Sequence, residues 1–132
     1  MESCADQLPE RTGARDRLLV AGGSVLSDVE LLGLVLDPPP FVRRRRDLAP
    51  GLRGYKDVNL QALRRLAPGG WLLTSSCSQH LTRAGFREVV AAAAADAGRV
   101  AEMVAEWGHP PDHPVLLAHP EGEYLKVMLL RA

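Results

Sequence analysis

The chain has 132 residues, of which 46% are hydrophobic and 24% charged, and these values exclude two full-sized domains, a disordered tail and a fibrous repeat. Sixteen basic residues balance sixteen acidic ones, so the overall charge does not argue for a nucleic-acid or membrane-surface protein. Two cysteines are too few for a disulfide framework, and no apolar run reaches the roughly 18 residues of a membrane span.

The amino-terminal segment is predicted to form short helices. Residues 15–20 are rich in apolar side chains, and Gly22 and Gly23 separate them from a second helix start. Ser27 followed by Glu30 is a capping box, which marks the beginning of that helix. The first residues lack the basic and apolar stretches of a signal peptide, so the reducing cytoplasm is the expected compartment.

The middle of the chain alternates predicted strands and helices. Residues 34–36 predict a short buried strand, which the prolines at 38–40 end because they lack N–H donors. Apolar or small residues follow helical spacing from Tyr55 until residues 68–70 (PGG) stop the helix. Residues 71–75 then predict a second buried strand.

The last part of the chain predicts one helix and two strands. Thr82 can cap the helix, and Gly98 follows its end. Its predicted core face consists of Phe86, Val89, Val90, Ala93 and Ala97. Residues 100–107 and 124–130 are strand-like and are expected to pair antiparallel. The order predicts an α/β sheet whose last two strands form a hairpin-like edge.

Two reactive side chains follow the predicted parallel strands, at the sheet edge where α/β proteins bind ligands. Asp37 enters the proline-rich loop, which would hold its carboxylate in a direction suited to hydrogen-bonding a planar base. Cys77 lies between a strand and a helix start, a position that favours the reactive thiolate. The alternatives are a turn-initiating aspartate before proline and a small buried cysteine without chemistry.

Two further clusters stand out in the sequence. Residues 43–65 carry a net charge of +6, which is suited to binding a phosphate backbone. A solvated charged loop explains the same pattern. His109, His113 and His119 lie among prolines without helical spacing or paired cysteines. No metal site is predicted from them.

Several segments together resemble the bacterial large-subunit ribosomal RNA cytosine-C5 methyltransferases. The resemblance covers residues 35–132 and includes the carboxyl-terminal end of that family in order and spacing. The matching segments are residues 36–41 (LDPPPF), 54–59 (GYKDVN), 69–78 (GGWLLTSSCS), 112–115 (DHPV) and 120–126 (PEGEYLK).

The resemblance implies the carboxyl-terminal half of a class I, S-adenosylmethionine-dependent methyltransferase with a Rossmann-like sheet. Cys77 matches the nucleophile that adds to carbon 6 of cytosine, and Asp37 matches the acidic residue that holds the base. Asp37, Pro38 and Pro39 would contact S-adenosylmethionine. The base must leave its stack to reach such a pocket. The residues expected to contact ribosomal RNA are Phe41, Arg43, Arg44, Arg45, Arg46 and Lys56.

Residues 1–34 instead resemble the helical amino-terminal region of RadC-type DNA-repair-associated proteins. The expected organisation is therefore a RadC-like segment (1–34) joined to half of a methyltransferase domain (35–132). Since the cofactor half of such an enzyme is missing, we expect a truncated chain that needs a homodimer or a complementing half-domain for activity. The alternative hypotheses are a non-catalytic module that binds nucleic acid or protein, and an inactive fused remnant.

Overall fold

The computed structural model describes residues 33–132, which form a four-stranded sheet with two helices. The predicted helices of residues 1–32, including the Ser27 capping box, lie outside the described residues, as does nearly all of the RadC-like segment. The elements are β1 (Gly33–Leu36), α1 (Leu48–Arg65), β2 (Trp71–Ser76), α2 (Arg83–Asp96), β3 (Glu102–Trp107) and β4 (Lys126–Arg131). Short 3₁₀ turns occupy Arg45–Asp47 and Pro120–Gly122.

The strands lie in the order β1-β2-β4-β3. β1 and β2 are parallel, and β4 runs antiparallel to both β2 and β3. The prediction that the last two strands pair antiparallel and form a hairpin-like edge of the sheet is therefore confirmed. β4 lies inside the sheet because its alternate residues Lys126, Met128 and Leu130 are buried, whereas β3 forms the edge and is largely exposed.

Helix α1 begins at Leu48, seven residues before the predicted start at Tyr55. Pro50 is compatible with this start because the first turn of a helix has no partner for a backbone N–H. Gly51 is required by close packing, since a Cβ atom there would lie 2.4 Å from Cγ2 of Val42 and 2.8 Å from the carbonyl oxygen of Phe41. The helix thus packs directly against the loop that follows β1.

Helix α2 matches its prediction closely. The Thr82 hydroxyl accepts the backbone N–H of Gly85 at 3.0 Å, and Gly98 follows the helix with a φ of 65°. This positive φ explains the glycine, because other residues rarely adopt it. Of the predicted core face, Phe86, Val90 and Ala93 are buried, and the remaining two residues are partly buried against the same core.

The hydrophobic core lies between the two helices and one face of the sheet. Its residues include Leu34, Leu72 and Leu130 from three neighbouring strands and Tyr55 and Phe86 from the helices. Along each strand, the side chains next to these core residues point to the other face of the sheet. That face is more open to solvent, since Val35 is 49% exposed and Trp71 is 42% exposed. Neither helix in residues 33–132 has both the length and the apolar character needed to cross a membrane.

Candidate active site at the ends of β1 and β2

Asp37 and Cys77 follow neighbouring parallel strands and therefore lie at the same edge of the sheet, as predicted. Ser75 connects the two loops, because its hydroxyl lies 3.1 Å from the carbonyl oxygen of Leu36 and 3.3 Å from Oδ1 of Asp37. Asp37 is exposed and Cys77 is half-buried with a free thiol. The arrangement places a carboxylate and a thiol at the edge where α/β sheets bind ligands.

Ser78, the residue after Cys77, is fully buried and joins three parts of the fold. Its hydroxyl accepts the backbone N–H of Val42 at 3.1 Å and lies 2.6 Å from the hydroxyl of Tyr55. Its own N–H donates to Oγ of Ser76 at 3.2 Å. Because Val42 follows the Asp37 loop and Tyr55 belongs to α1, Ser78 fixes the Cys77 loop relative to the Asp37 loop.

A buried lysine, Lys126 of β4, completes this set of contacts. Its Nζ donates to the carbonyl oxygens of Ser78 and Tyr124, both at 2.7 Å, and the residue is 5% exposed. Burial lowers the pKa of Lys126 to about 8; the negative charge of a Cys77 thiolate opposes this shift, and the positive charge of Arg83 adds to it. Lys126 is therefore anchored to the backbone of Ser78, the residue that follows Cys77.

The structure confirms that Cys77 lies between β2 and α2, and it shows how far Cys77 is from the helix. Helix α2 begins at Arg83, with Thr82 as its cap, so Cys77 precedes the helix by six residues and is not in its first turn. The positively charged side chain that bonds to the Cys77 loop is Lys126 of β4, through the carbonyl oxygen of Ser78. Sequence analysis missed Lys126, Ser78 and Tyr55; the available signal was a lysine at a buried alternate position of an apolar strand.

The predicted RNA-contacting residues occupy two different environments. Phe41 is partly buried and packs edge-on against Tyr55, with ring centroids 4.9 Å apart. Lys56 forms an ion pair with Asp96 of α2 at 2.7 Å, so its charge is already matched within the fold. The remaining residues, Arg43, Arg44, Arg45 and Arg46, are all exposed between the Asp37 loop and α1 and are called the arginine run below.

The histidines have structural contacts. Nε2 of His109 accepts the backbone N–H groups of Tyr124 and Leu125 at 3.1 and 3.2 Å, which holds the loop before β4 close to Lys126. The ring of His113 stacks on that of His109, with centroids 5.9 Å apart. Within residues 33–132, no group of three or more histidine, cysteine or carboxylate side chains could hold a metal ion.

Comparison with curated proteins finds extensive sequence similarity. The chain is 48% identical over 99 residues to ribosomal RNA large subunit methyltransferase I of Aeromonas salmonicida, covering 75% of the chain and 25% of that protein. It is 47% identical over 93 residues to the protein of the same name in Cronobacter sakazakii, covering 70% of the chain and 24% of the relative. The chain thus spans about a quarter of the length of these relatives. No protein-family model matches it.

Solved structures show where this fold occurs. A Streptococcus mutans protein described as a SAM-dependent methyltransferase superposes with a TM-score of 0.60 and 18% identity, over 76% of this chain and 25% of the other. SMU.776, described as a methyltransferase complexed with SAH, gives a TM-score of 0.57 and 19% identity, over 76% and 26% of the two chains. The described residues therefore have the α/β fold of part of these methyltransferase structures.

Proposed function

We propose that this chain carries the base-binding half of a methyltransferase that modifies carbon 5 of cytosine in large-subunit ribosomal RNA. The similarity to ribosomal RNA large subunit methyltransferase I supports the enzyme class and the RNA substrate. The observation that carries the proposal is the placement of Asp37 and Cys77 at the ends of adjacent parallel strands, linked through Ser75. The cytosine-C5 specificity rests on the proposed role of Cys77.

The proposed chemistry uses the thiol as a nucleophile. The Cys77 thiolate adds to carbon 6 of a cytosine that has left its stack, and the electron pair of the 5,6 double bond makes carbon 5 nucleophilic. Carbon 5 would take the methyl group as its bond to the sulfonium sulfur breaks, which leaves a neutral thioether. Carbon 5 then gives its proton to a water molecule, and the thiolate leaves carbon 6 as the double bond forms again. The role of Asp37 is to accept a hydrogen bond from the exocyclic amino group of the base.

S-adenosylmethionine is the proposed cofactor, and it supplies the methyl group from a positively charged sulfonium. The described residues fit the methyl-donating end of this molecule, because the exposed carboxylate of Asp37 follows β1 and its negative charge suits a positively charged sulfonium. Pro38 and Pro39 come next in the same loop. We expect a homodimer or a complementing half-domain to supply the rest of the pocket, in the cytoplasm. In this proposal, residues 35–132 form the methyltransferase part and residues 1–34 a RadC-like segment.

Calorimetric titration with S-adenosylmethionine tests the cofactor assignment. We expect Asp37→Ala to weaken binding by about 10- to 100-fold, because the variant loses the attraction between the carboxylate and the positively charged sulfonium. Asp57→Ala is the matched control, since Asp57 is an exposed carboxylate on α1 outside the site. Equal binding by the two variants would contradict the assignment of Asp37, whereas no binding by the unsubstituted chain would show that the pocket requires a complementing half-domain.

The exposed arginine run favours a second candidate function, a module that binds RNA without chemistry. Four contacts to single-stranded RNA predict that the logarithm of the binding constant falls with a slope of about −3 against the logarithm of salt concentration. Changing all four arginines to glutamine should remove about that much from the measured slope. An unchanged slope would show that the arginine run does not contact the phosphates.

A further inference from the structure

We propose that Lys126 is a positioning residue for the nucleophile, which holds the Cys77 loop through the Ser78 carbonyl and favours the thiolate through its positive charge. This inference rests on the proposed function, because it assigns the lysine to the proposed nucleophile. It adds a third group to the site, and that group comes from β4, a strand separated from Cys77 by about 50 residues of chain.

The geometry supports this role in two steps. In the β2–β4 register, Lys126 is the cross-strand partner of Ser76, so its side chain starts beside the residue that precedes Cys77. Its Nζ then donates to the carbonyl oxygen of Ser78 at 2.7 Å. The lysine therefore spans the backbone on both sides of Cys77, and its second bond, to Tyr124, fixes the ammonium in that position.

The positive charge of Lys126 is not balanced by its two hydrogen-bond acceptors. Besides burial, two charged groups affect the pKa of Lys126: Cys77, from the loop after β2, raises it, and Arg83, from α2, lowers it. Arg83 lies 3.6 Å from Glu106 of β3, so its charge is partly balanced elsewhere. Both protein acceptors of the Lys126 ammonium are neutral carbonyls. A thiolate at Cys77 would therefore supply the negative charge that these two bonds do not.

Alkylation of Cys77 by iodoacetamide tests the inference without RNA or cofactor. Every protein compared in this experiment also carries Cys4→Ser, which leaves Cys77 as the only thiol in the sequence. We expect Lys126→Gln to react about tenfold more slowly at pH 7, with the plateau at high pH unchanged. Glutamine keeps an N–H donor for a carbonyl but removes the charge, so the slower reaction would report the charge.

Two further variants separate charge from structure. Lys126→Arg should keep the rate at pH 7 within about twofold of the unsubstituted protein, because it keeps the charge. Arg131→Gln removes a positive charge from the opposite end of the same strand and should leave the rate unchanged. A purely structural lysine would give a different result for Lys126→Gln: the loop would loosen and the plateau at high pH would rise. That result would overturn the proposal.

A measurement on the protein with native Lys126 covers the case in which the variants do not fold. A nearby ammonium attracts the anionic reagent iodoacetate relative to neutral iodoacetamide. The ratio of the two rates should therefore fall as the pH rises through about 8, where Lys126 loses its proton while Arg83 keeps its own. A ratio that does not change between pH 7 and 9.5 would overturn the proposal. Because neither reagent requires RNA, the ratio of rates does not depend on whether the chain transfers a methyl group. The role of Lys126 and the proposed function can therefore fail independently.

Discussion

Replacement of Cys77 by alanine is expected to abolish covalent capture of RNA that contains 5-azacytosine. A nitrogen at position 5 makes carbon 6 more electrophilic, so the thiolate can add there, with a proton going to the nitrogen, before any methyl transfer. Capture therefore tests the nucleophile even if the cofactor pocket needs a second polypeptide. A denaturing gel separates the protein–RNA adduct from free protein, and the expected loss in the variant is complete.

The second cysteine provides the matched control for this experiment. Cys4→Ala removes the other thiol of the chain and should leave the adduct yield unchanged. Asp37→Ala should lower the yield without removing the thiol, because the base would be held less well. An adduct that persists in Cys77→Ala would contradict the assignment of the nucleophile.

Tyr55→Ala is expected to lower the free energy of unfolding by about 3–5 kcal/mol, the range for removal of a buried aromatic ring. Tyr55 is fully buried, and its ring packs edge-on between Phe41 and Phe86, at centroid distances of 4.9 and 5.8 Å. The loss is a large fraction of the 5–15 kcal/mol that is typical of a whole domain. Chemical denaturation followed by circular dichroism measures it.

The conservative variant Tyr55→Phe separates the ring from the hydroxyl. It keeps both aromatic contacts but removes the 2.6 Å contact with Ser78, so we expect a loss of about 1 kcal/mol. Because Ser78 also holds Val42, this variant should affect the Cys77 loop more than the core. An equal loss of stability in Tyr55→Phe and Tyr55→Ala would contradict the packing role of the ring.

Local signals predicted α2 well and α1 less well. The Thr82 cap and Gly98 act within a few residues of the helix they delimit, and both are confirmed. The start of α1 was missed because Pro50 and Gly51 look like a loop in sequence. Pro50 is compatible with the helix because it lies in the first turn. Gly51 is needed because Val42 approaches it closely, which is a contact between separate parts of the chain.

The same distinction applies to the sheet and the site. The pairing of β3 with β4 was predicted from two strand-like patterns, but the insertion of β4 beside β2 depends on which faces are buried. The positions of Asp37 and Cys77 follow from the rule for strand ends in α/β sheets. The contact of Lys126 with Ser78 could not be predicted, because it depends on that inserted strand.

The most direct test of the proposed nucleophile is to identify the amino acid that is bonded to RNA in the 5-azacytosine adduct. Digestion of the adduct with protease and ribonuclease, followed by mass spectrometry, locates the added nucleotide within the peptide. We expect it on the sulfur of Cys77, in the peptide that also contains Ser78. Attachment at Cys4, or the absence of any cysteine-linked nucleotide, would contradict the proposal that this chain carries the nucleophile for cytosine methylation.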